Sequence, residues 1–311
     1  MKKAIKEEIS KCGFDAVGVA TAEAIPDDFA RFREWLRRGD AAGMDYLERH
    51  APLRADPASL LEGARSVIVA AAAYDPIVPS GPLAAYAVRP DYHSVFRAAL
   101  EPVVARIESM APKNRCRITV DTAPLLERAF AQRAGIGWIG RSTNLVTERF
   151  GPYVLLAEII TTVELEPDQP SASLCGECSN CVDACSTGAL AAPYRLDARK
   201  CLSYLTIEKK GDFTAPEGTL FQTGTSRSGR PAAPRAFGCD LCLEVCPHAE
   251  VLIAGKIAPR GQLLPPIEEL SRAAITDLEA LCHAGFKKNF GTTPIVRAGK
   301  KGLLRNIAAH D

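Results

Sequence analysis

The sequence lacks any long apolar run. Even Ser66 to Tyr74 is about half the ~20 residues that a membrane-spanning helix needs, so no membrane association is expected. It also lacks the apolar N-terminal segment of an export signal, because Glu7, Glu8 and Lys11 stand where that segment would lie. Nor is there a surplus of either charge: 38 basic residues face 37 acidic ones in 311, which excludes a globally polycationic or polyanionic protein. The expected compartment is the cytoplasm, where thiols stay reduced, and this excludes a disulfide framework as the use of the eleven cysteines. At 47% hydrophobic residues the chain can bury a sizeable core, in one large domain or in two to three smaller ones.

What is present is cysteine at telling intervals. Cys175, Cys178, Cys181 and Cys185 read C-x2-C-x2-C-x3-C, and Cys239, Cys242 and Cys246, followed by Pro247, read C-x2-C-x3-C-P. Cys201 lies between the two groups. Eight cysteines suffice for two 4Fe-4S clusters, and in two-cluster ferredoxins the fourth cysteine of such a run ligates the other cluster. The spacing therefore predicts one cluster on Cys175, Cys178, Cys181 and Cys246, and a second on Cys185, Cys201, Cys239 and Cys242. Paired zinc sites are the competing reading, since CxxC pairs also hold zinc, but they seldom use this run twice in crossed fashion. Ser186 replaces the proline that usually follows the fourth cysteine, which removes a rigid turn and no ligand. Cys12, Cys116 and Cys282 stand alone in apolar surroundings and read as small buried hydrophobes.

The first 165 residues do not resemble a ferredoxin. Helices are expected over residues 1–12, Asp91–Met110 and Pro124–Ala134, the second capped by Asp91 and the third opened by proline. Strands are expected at Ala16–Ala20, Arg65–Tyr74, Cys116–Val120 and Tyr153–Thr162. Phe29, Phe32, Trp35 and Leu36 fall on one helical face. The mixture describes a compact α/β or α+β unit large enough to hold a cofactor.

Two motifs in this unit mislead. Gly135-Ile-Gly137-Trp-Ile-Gly140 fits the dinucleotide fingerprint, but a helix precedes it where a strand is required, so it reads as a tight loop permitting close backbone approach. Asp91-Tyr92-His93 opens like a cobalamin-ligating D-x-H-x-x-G motif, yet Phe96 occupies the glycine position. His93 is equally a packed side chain or a pocket residue. Asp121 ends a strand, where ligand crevices commonly lie, but as a residue alone it is better explained as a helix N-cap.

Taken together, Gly43-Met44-Asp45-Tyr46-Leu47, Leu53-Arg54-Ala55-Asp56-Pro57, Asp91-Tyr92-His93, Val120-Asp121-Thr122-Ala123-Pro124 and Gly137-Trp138-Ile139-Gly140-Arg141-Ser142-Thr143-Asn144 resemble the epoxyqueuosine reductase family. So do Leu196-Asp197-Ala198-Arg199-Lys200-Cys201, the block Phe237 to Pro247, and Gly302-Leu303-Leu304-Arg305-Asn306 near the end. The resemblance spans nearly the whole chain and matches a shorter form of the family without the C-terminal helical-repeat domain. Val88-Arg89-Pro90 departs from it, since a glycine-containing turn is commoner before the Asp91 motif.

The resemblance implies an α+β protein in three parts. A nitroreductase-like, cobalamin-binding catalytic domain would occupy residues 1–165, a ferredoxin-like domain with two 4Fe-4S clusters residues 166–255, and a basic helical segment residues 256–311. It implies reductive removal of the epoxide oxygen from epoxyqueuosine at the tRNA wobble position. Cobalamin would be bound with its lower base detached and no histidine on cobalt, and recharged through the clusters by an unidentified low-potential donor. Asp121 falls on the family's proton-donating aspartate, with a pKa expected to be raised by burial. Arg54, Tyr92, His93, Trp138, Arg141 and Asn144 match segments around cobalamin or substrate. The protein is expected to act as a monomer.

Ala280 to His310 contains no acidic residue but includes Lys287, Lys288, Arg297, Lys300, Lys301 and Arg305, a set suited to RNA phosphates. Two alternatives stay open: a related cobalamin and iron-sulfur reductase, dehalogenase-like, acting on a small molecule, and a non-enzymatic electron carrier. The second leaves the N-terminal half without a purpose.

Overall fold

Every residue of the run Ser66–Ala73 is buried, because this strand lies inside a sheet covered on both faces. The computed structural model describes residues 1–76, 81–222, 235–261 and 263–310. In chain order, the elements that build the first half are α1 (Lys2–Lys11), β1 (Ala16–Thr21), α2 (Pro26–Arg37), β2 (Ser66–Ala73), α3 (Tyr92–Met110), β3 (Cys116–Thr119), α4 (Glu127–Arg133), β4 (Trp138–Ile139), β5 (Leu145–Val146) and β6 (Val154–Thr161). Four strands form one antiparallel sheet in the order β1-β2-β6-β3, with Ile68 opposite Ile159 and Val19 opposite Ile68 at its centre.

Alternation along β2 builds the two cores. Ile68, Ala70 and Ala72 pack with Ile5 and Ile9 of α1 and with Phe96, Leu100, Val103 and Ile107 of α3. Val67, Val69 and Ala71 point the other way, against Phe130 and Ala131 of α4 and against Ile25 and Leu125. An all-apolar strand is what a sheet with two covered faces requires.

The cysteine-bearing segment is not a separate globule. Leu243, Ala249 and Leu252 join the core of the first half. Gly151 has φ 57°, and an added Cβ would stand 2.7 Å from Ala249 N, so a side chain there would push the two parts apart. Residues Leu83 to Val88 cross to a third core, where they meet Phe237 and the C-terminal helices Ile275–Phe290 and Gly299–Ala308. Among the described residues, no helix is long and apolar enough to cross a membrane.

The expected elements appear with small shifts and one correction. Asp91 caps α3, its carboxylate accepting from His93 N at 3.1 Å. Arg89 is buried and donates to the carbonyls of Asp75, Ala85 and Leu264, which settles the departing turn before Asp91. The third helix, however, begins at Glu127 instead of Pro124, with Leu126 at its N-cap. Asp121 therefore caps nothing. It takes up a left-handed backbone with φ 46°, and residues 121–126 form an irregular turn in place of the first helical turn. Cys282 is fully buried, while Cys12 and Cys116 pack against the core from partly buried positions.

Candidate active site and cluster cavities

The sheet, α2, α3 and the cysteine segment leave a two-part cavity between them. Its outer part, about 830 Å³, is walled by Phe32, Trp35, Tyr92, His93, Tyr194 and Arg297. Its inner part, about 350 Å³, reaches Cys185, Cys201, Cys239 and Cys242. Tyr86, Tyr92, Asp121 and Cys201 line both parts, so they form one continuous cleft. These volumes lie in the range of small-molecule and cofactor sites. The apolar face of α2 thus has a use other than core packing: no residue of this helix is buried, and Phe32 and Trp35 face the cleft.

Asp121 meets His93 across this cleft. His93 Nε2 lies 3.1 Å from Asp121 Oδ2, and Nδ1 lies 2.7 Å from Asp91 Oδ1. Burial alone would lower the pKa of His93, but the two carboxylates outweigh it and hold the imidazole at about 9. Burial likewise pushes Asp121 upward, yet the bond to His93 and the charges of His93, Arg297 and Arg128 hold it below the usual carboxylate range. The expectation of a raised Asp121 pKa is thereby corrected. The proton of the pair rests on the histidine, which stands between two anions.

Beneath Asp121 lie two further acids that sequence reasoning missed. Glu127 Oε1 accepts from the backbone N of Asp121. Glu158, fully buried on β6, accepts from Thr119 Oγ1 at 3.0 Å, and burial together with the nearby Glu127 raises its pKa well above the ordinary carboxylate range. Nothing local marks them: Glu127 reads as an exposed helix residue, and Glu158 interrupts an apolar strand as one polar letter. Tyr194 was missed as well. Its left-handed backbone (φ 63°) presents a half-exposed ring to the cleft from a short hairpin, Leu190–Ala192 with Arg195–Leu196.

A third cavity, about 170 Å³, is lined by Cys175, Cys178, Cys181, Cys242 and Cys246. The cysteines are thus sorted by cavity in the crossed manner, Cys185 facing Cys201 and Cys239, and Cys246 facing the first three. Cys242 borders both spaces. Among the described residues, no three His, Cys, Asp or Glu side chains converge as a single-ion site would require. Thiolates set around a cavity match a larger inorganic group than zinc.

The remaining expected residues divide between these places. Tyr92 stacks on His93 at 4.2 Å between ring centroids, and Asn144 lines the inner cleft, its amide 3.7 Å from Cys242 Sγ. Trp138 and Arg141 belong elsewhere. Trp138 is buried with Nε1 3.3 Å from Cys175 Sγ, and Arg141 donates to the Gly176 carbonyl beside the third cavity. Trp138 lies within the glycine loop and Arg141 directly after it, where Gly137 and Gly140 press against Val146 and turn the chain toward the first cysteine group. Arg54 is buried, donating to the Leu125 carbonyl and lying over the Phe32 ring.

The basic residues near the C-terminus also divide. Lys287, Lys288, Lys300 and Lys301 are exposed. Arg297 pairs with Glu208 at 2.8 Å on the cleft rim. Arg305 is spent inside the fold: it donates to the carbonyls of Leu205, Lys209 and Gly211 and lies 4.1 Å over the Phe213 ring. Its expected contact with RNA is replaced by a structural one.

Comparison with known proteins adds the family. Residues 54–122 match the family described as "Epoxyqueuosine reductase QueG, DUF1730", and residues 174–249 match the 4Fe-4S double cluster binding domain. The epoxyqueuosine reductase of Cellulophaga algicola is 33% identical over 97% of this chain and 95% of its own length, and that of Gloeobacter violaceus is 35% identical over 97% and 93%. Among solved structures, an epoxyqueuosine reductase with an epoxyqueuosine-modified tRNA-Tyr stem loop superposes with a TM-score of 0.85 at 31% identity, covering 99% of this chain and 80% of that one. A Bacillus subtilis epoxyqueuosine reductase with its catalytic aspartate loop swung out of the active site gives 0.84 at 30% identity, with the same coverage. Conserved architecture and near full-length identity agree: this chain belongs to the epoxyqueuosine reductase family.

Proposed function

We propose that this protein reduces epoxyqueuosine in tRNA to queuosine. The observation that carries the reading is the cleft in which the Asp121–His93 pair and the cysteine quartet of Cys185, Cys201, Cys239 and Cys242 face one space. Converting an epoxide to an alkene and water consumes two electrons and two protons. The cysteines would hold the groups that supply the electron side: Cys175, Cys178, Cys181 and Cys246 one 4Fe-4S cluster, and Cys185, Cys201, Cys239 and Cys242 the one bordering the cleft, which together would provide single electrons from a low-potential donor.

The cleft fits cobalamin. It is lined mainly by apolar and aromatic side chains, and the buried hydroxyl of Ser186, without a partner, opens onto its inner part. Both ring nitrogens of His93 are already engaged by Asp91 and Asp121, so neither is free to ligate a metal. Tyr92 and Asn144 would border the group, which would supply a strongly reducing metal centre when bound. This chain's residues manage the protons. His93 passes its proton through Asp121 to the oxygen released from the ring, and solvent both reprotonates the histidine and supplies the second proton.

The exposed lysines 287, 288, 300 and 301 and Arg297 at the rim offer phosphates a landing surface, with Tyr194 and Trp35 available for stacking of a splayed base. The family assignment favours this substrate over a small halogenated molecule. A chain of this kind works in the cytoplasm, where modified tRNA is found. The test is anaerobic reconstitution followed by turnover of a tRNA anticodon stem loop carrying epoxyqueuosine. Stoichiometric binding of iron and corrinoid with formation of queuosine is expected. Binding of both without any deoxygenation would overturn the reading.

A further inference from the structure

Glu127 and Glu158 have no place in the chemistry above, yet one half-buried and one fully buried acid lie beside the catalytic aspartate. Glu158 sits at the sheet centre, opposite Val69 on β2 and Thr119 on β3, and has no exposure to solvent. Its Oε2 receives Thr119 Oγ1, while its Oε1 has no donor. Val69, opposite Glu158, points to the face that α4 covers, so Glu158 faces the helix whose first residue is Glu127, and the Glu127 carboxyl helps to raise its pKa. Two carboxylates hydrogen-bond to each other only if one of them carries a proton. Glu127 Oε1 accepts the backbone N–H of Asp121, at the point where the chain is held in a left-handed conformation that side chains other than glycine rarely adopt.

We propose that Glu127 and Glu158 share one proton and act as a latch that positions Asp121, with Glu127 holding the Asp121 loop against the cleft and Glu158 anchoring Glu127 to the sheet. This inference rests on the proposed role of Asp121 and deepens it. Glu127 is a positioning residue here: it touches the backbone of Asp121 and not the reacting atoms. Burial raises both carboxyls, that of Glu127 to about 8 and that of Glu158 further, in keeping with at least one proton retained on the pair at neutral pH. The groups that face Glu127 are Glu158 from β6, Asp121 and Arg128 from its own segment, Arg54 from the turn at Pro52–Arg54, and Tyr92 from α3. Neither Arg54 nor Arg128 forms an ion pair with it among the described residues, so the shared proton is what removes the repulsion between the two acids.

The test compares Glu127→Gln with Glu127→Ala in the reconstituted holoenzyme. Glutamine still accepts from Asp121 N through its carbonyl, and its amide supplies Glu158 with a donor that does not ionise. Infrared difference spectra of wild type against Glu127→Gln should show the loss of one protonated carboxyl at neutral pH, a readout independent of turnover and of whether epoxyqueuosine is the substrate. In kinetics, Glu127→Ala should lower kcat about a hundredfold with little change in KM, the scale expected when a reacting group is misplaced. Glu127→Gln should recover at least about tenfold of that loss, since it restores both hydrogen bonds. No protonated carboxyl lost in the spectrum would overturn the shared proton. Turnover of Glu127→Ala near that of wild type would overturn the latch. Glu127→Gln as slow as Glu127→Ala, with clusters and corrinoid retained, would also overturn it by making the ionisable proton itself necessary.

Discussion

Asp121 Oδ2 and His93 Nε2 stand 3.1 Å apart, and the histidine is held from behind by Asp91 at 2.7 Å. The imidazolium is therefore the resting state of this pair. For His93 the folded pKa of about 9 exceeds the ordinary 6.5, so its pairing contributes fully below about pH 6.5 and is lost as pH rises through about 9. The carboxyls of Asp91 and Asp121 are held below their ordinary 3.8, so their share is present above that value and lost as pH falls through the lowered one. Proton NMR of the His93 ring should titrate near pH 9 in wild type and at lower pH in Asp121→Asn. A ring that titrates near 6.5 in wild type would mean the pair is not formed in solution.

Asp121→Asn should leave the fold and the clusters intact, because the side chain caps no helix and the backbone N–H still reaches Glu127. The amide keeps a hydrogen bond to His93 but has no carboxyl proton to pass on. Turnover should fall by a factor on the order of a hundred or more, the usual scale of general acid catalysis, while reduction of bound corrinoid through the clusters proceeds. Wild-type turnover in this variant would move the proton donor to Tyr92 or His93.

Cys185→Ala should damage the cluster beside the cleft, where Cys185 shares a cavity with Cys201, Cys239 and Cys242, and spare the one held by its sequence neighbours Cys175, Cys178 and Cys181. Electron paramagnetic resonance of the reduced variant distinguishes the two. Loss confined to the signal that Cys178→Ala also removes would reverse the assignment.

The basic C-terminal helices separate into two experiments. Replacing Lys287, Lys288, Lys300 and Lys301 with alanine should weaken tRNA binding and lower the salt slope by about 3, at ~0.7–0.9 per phosphate contact, without changing thermal stability. Arg305→Ala should instead cost about 2 kcal/mol of stability, since three backbone carbonyls lose a charged donor. Denaturant titration measures the second effect, and filter binding at several salt concentrations the first. A slope that is unchanged in the quadruple variant would place RNA contact elsewhere.

What was legible in the sequence is what is local. Cysteine spacing, the apolar run of β2 and the Asp91 cap all depend on neighbours within a few residues, and the structure keeps them. The crossed sorting of the cysteines followed from one turn of backbone geometry at Cys185. The start of α4 was misplaced because Pro124 is a favoured first-turn residue, while the hydrogen bond between Asp121 N and Glu127 competes with that turn and delays the helix. Trp138 and Arg141, which the resemblance sets near cobalamin or substrate, lie beside Cys175 and Gly176, because which way a glycine loop turns is not written in its spacing. The Glu127–Glu158 pair was invisible, since its partners sit on different elements and each letter alone looks ordinary.

The strand order β1-β2-β6-β3 has a consequence for the protein as it is being made. A ribosome delivers β1 and β2 early, but β2 finds its second neighbour only when Thr161 has emerged. Until then a strand that is apolar from Val67 to Ala73 carries an open edge, the kind of nascent surface that recruits other chains. The cleft closes later still, when the hairpin at Leu190–Leu196 and the helix at Leu241–Glu244 follow. Yield in a heterologous host should therefore depend on how well the emerging first half is shielded, and on iron supply only after that.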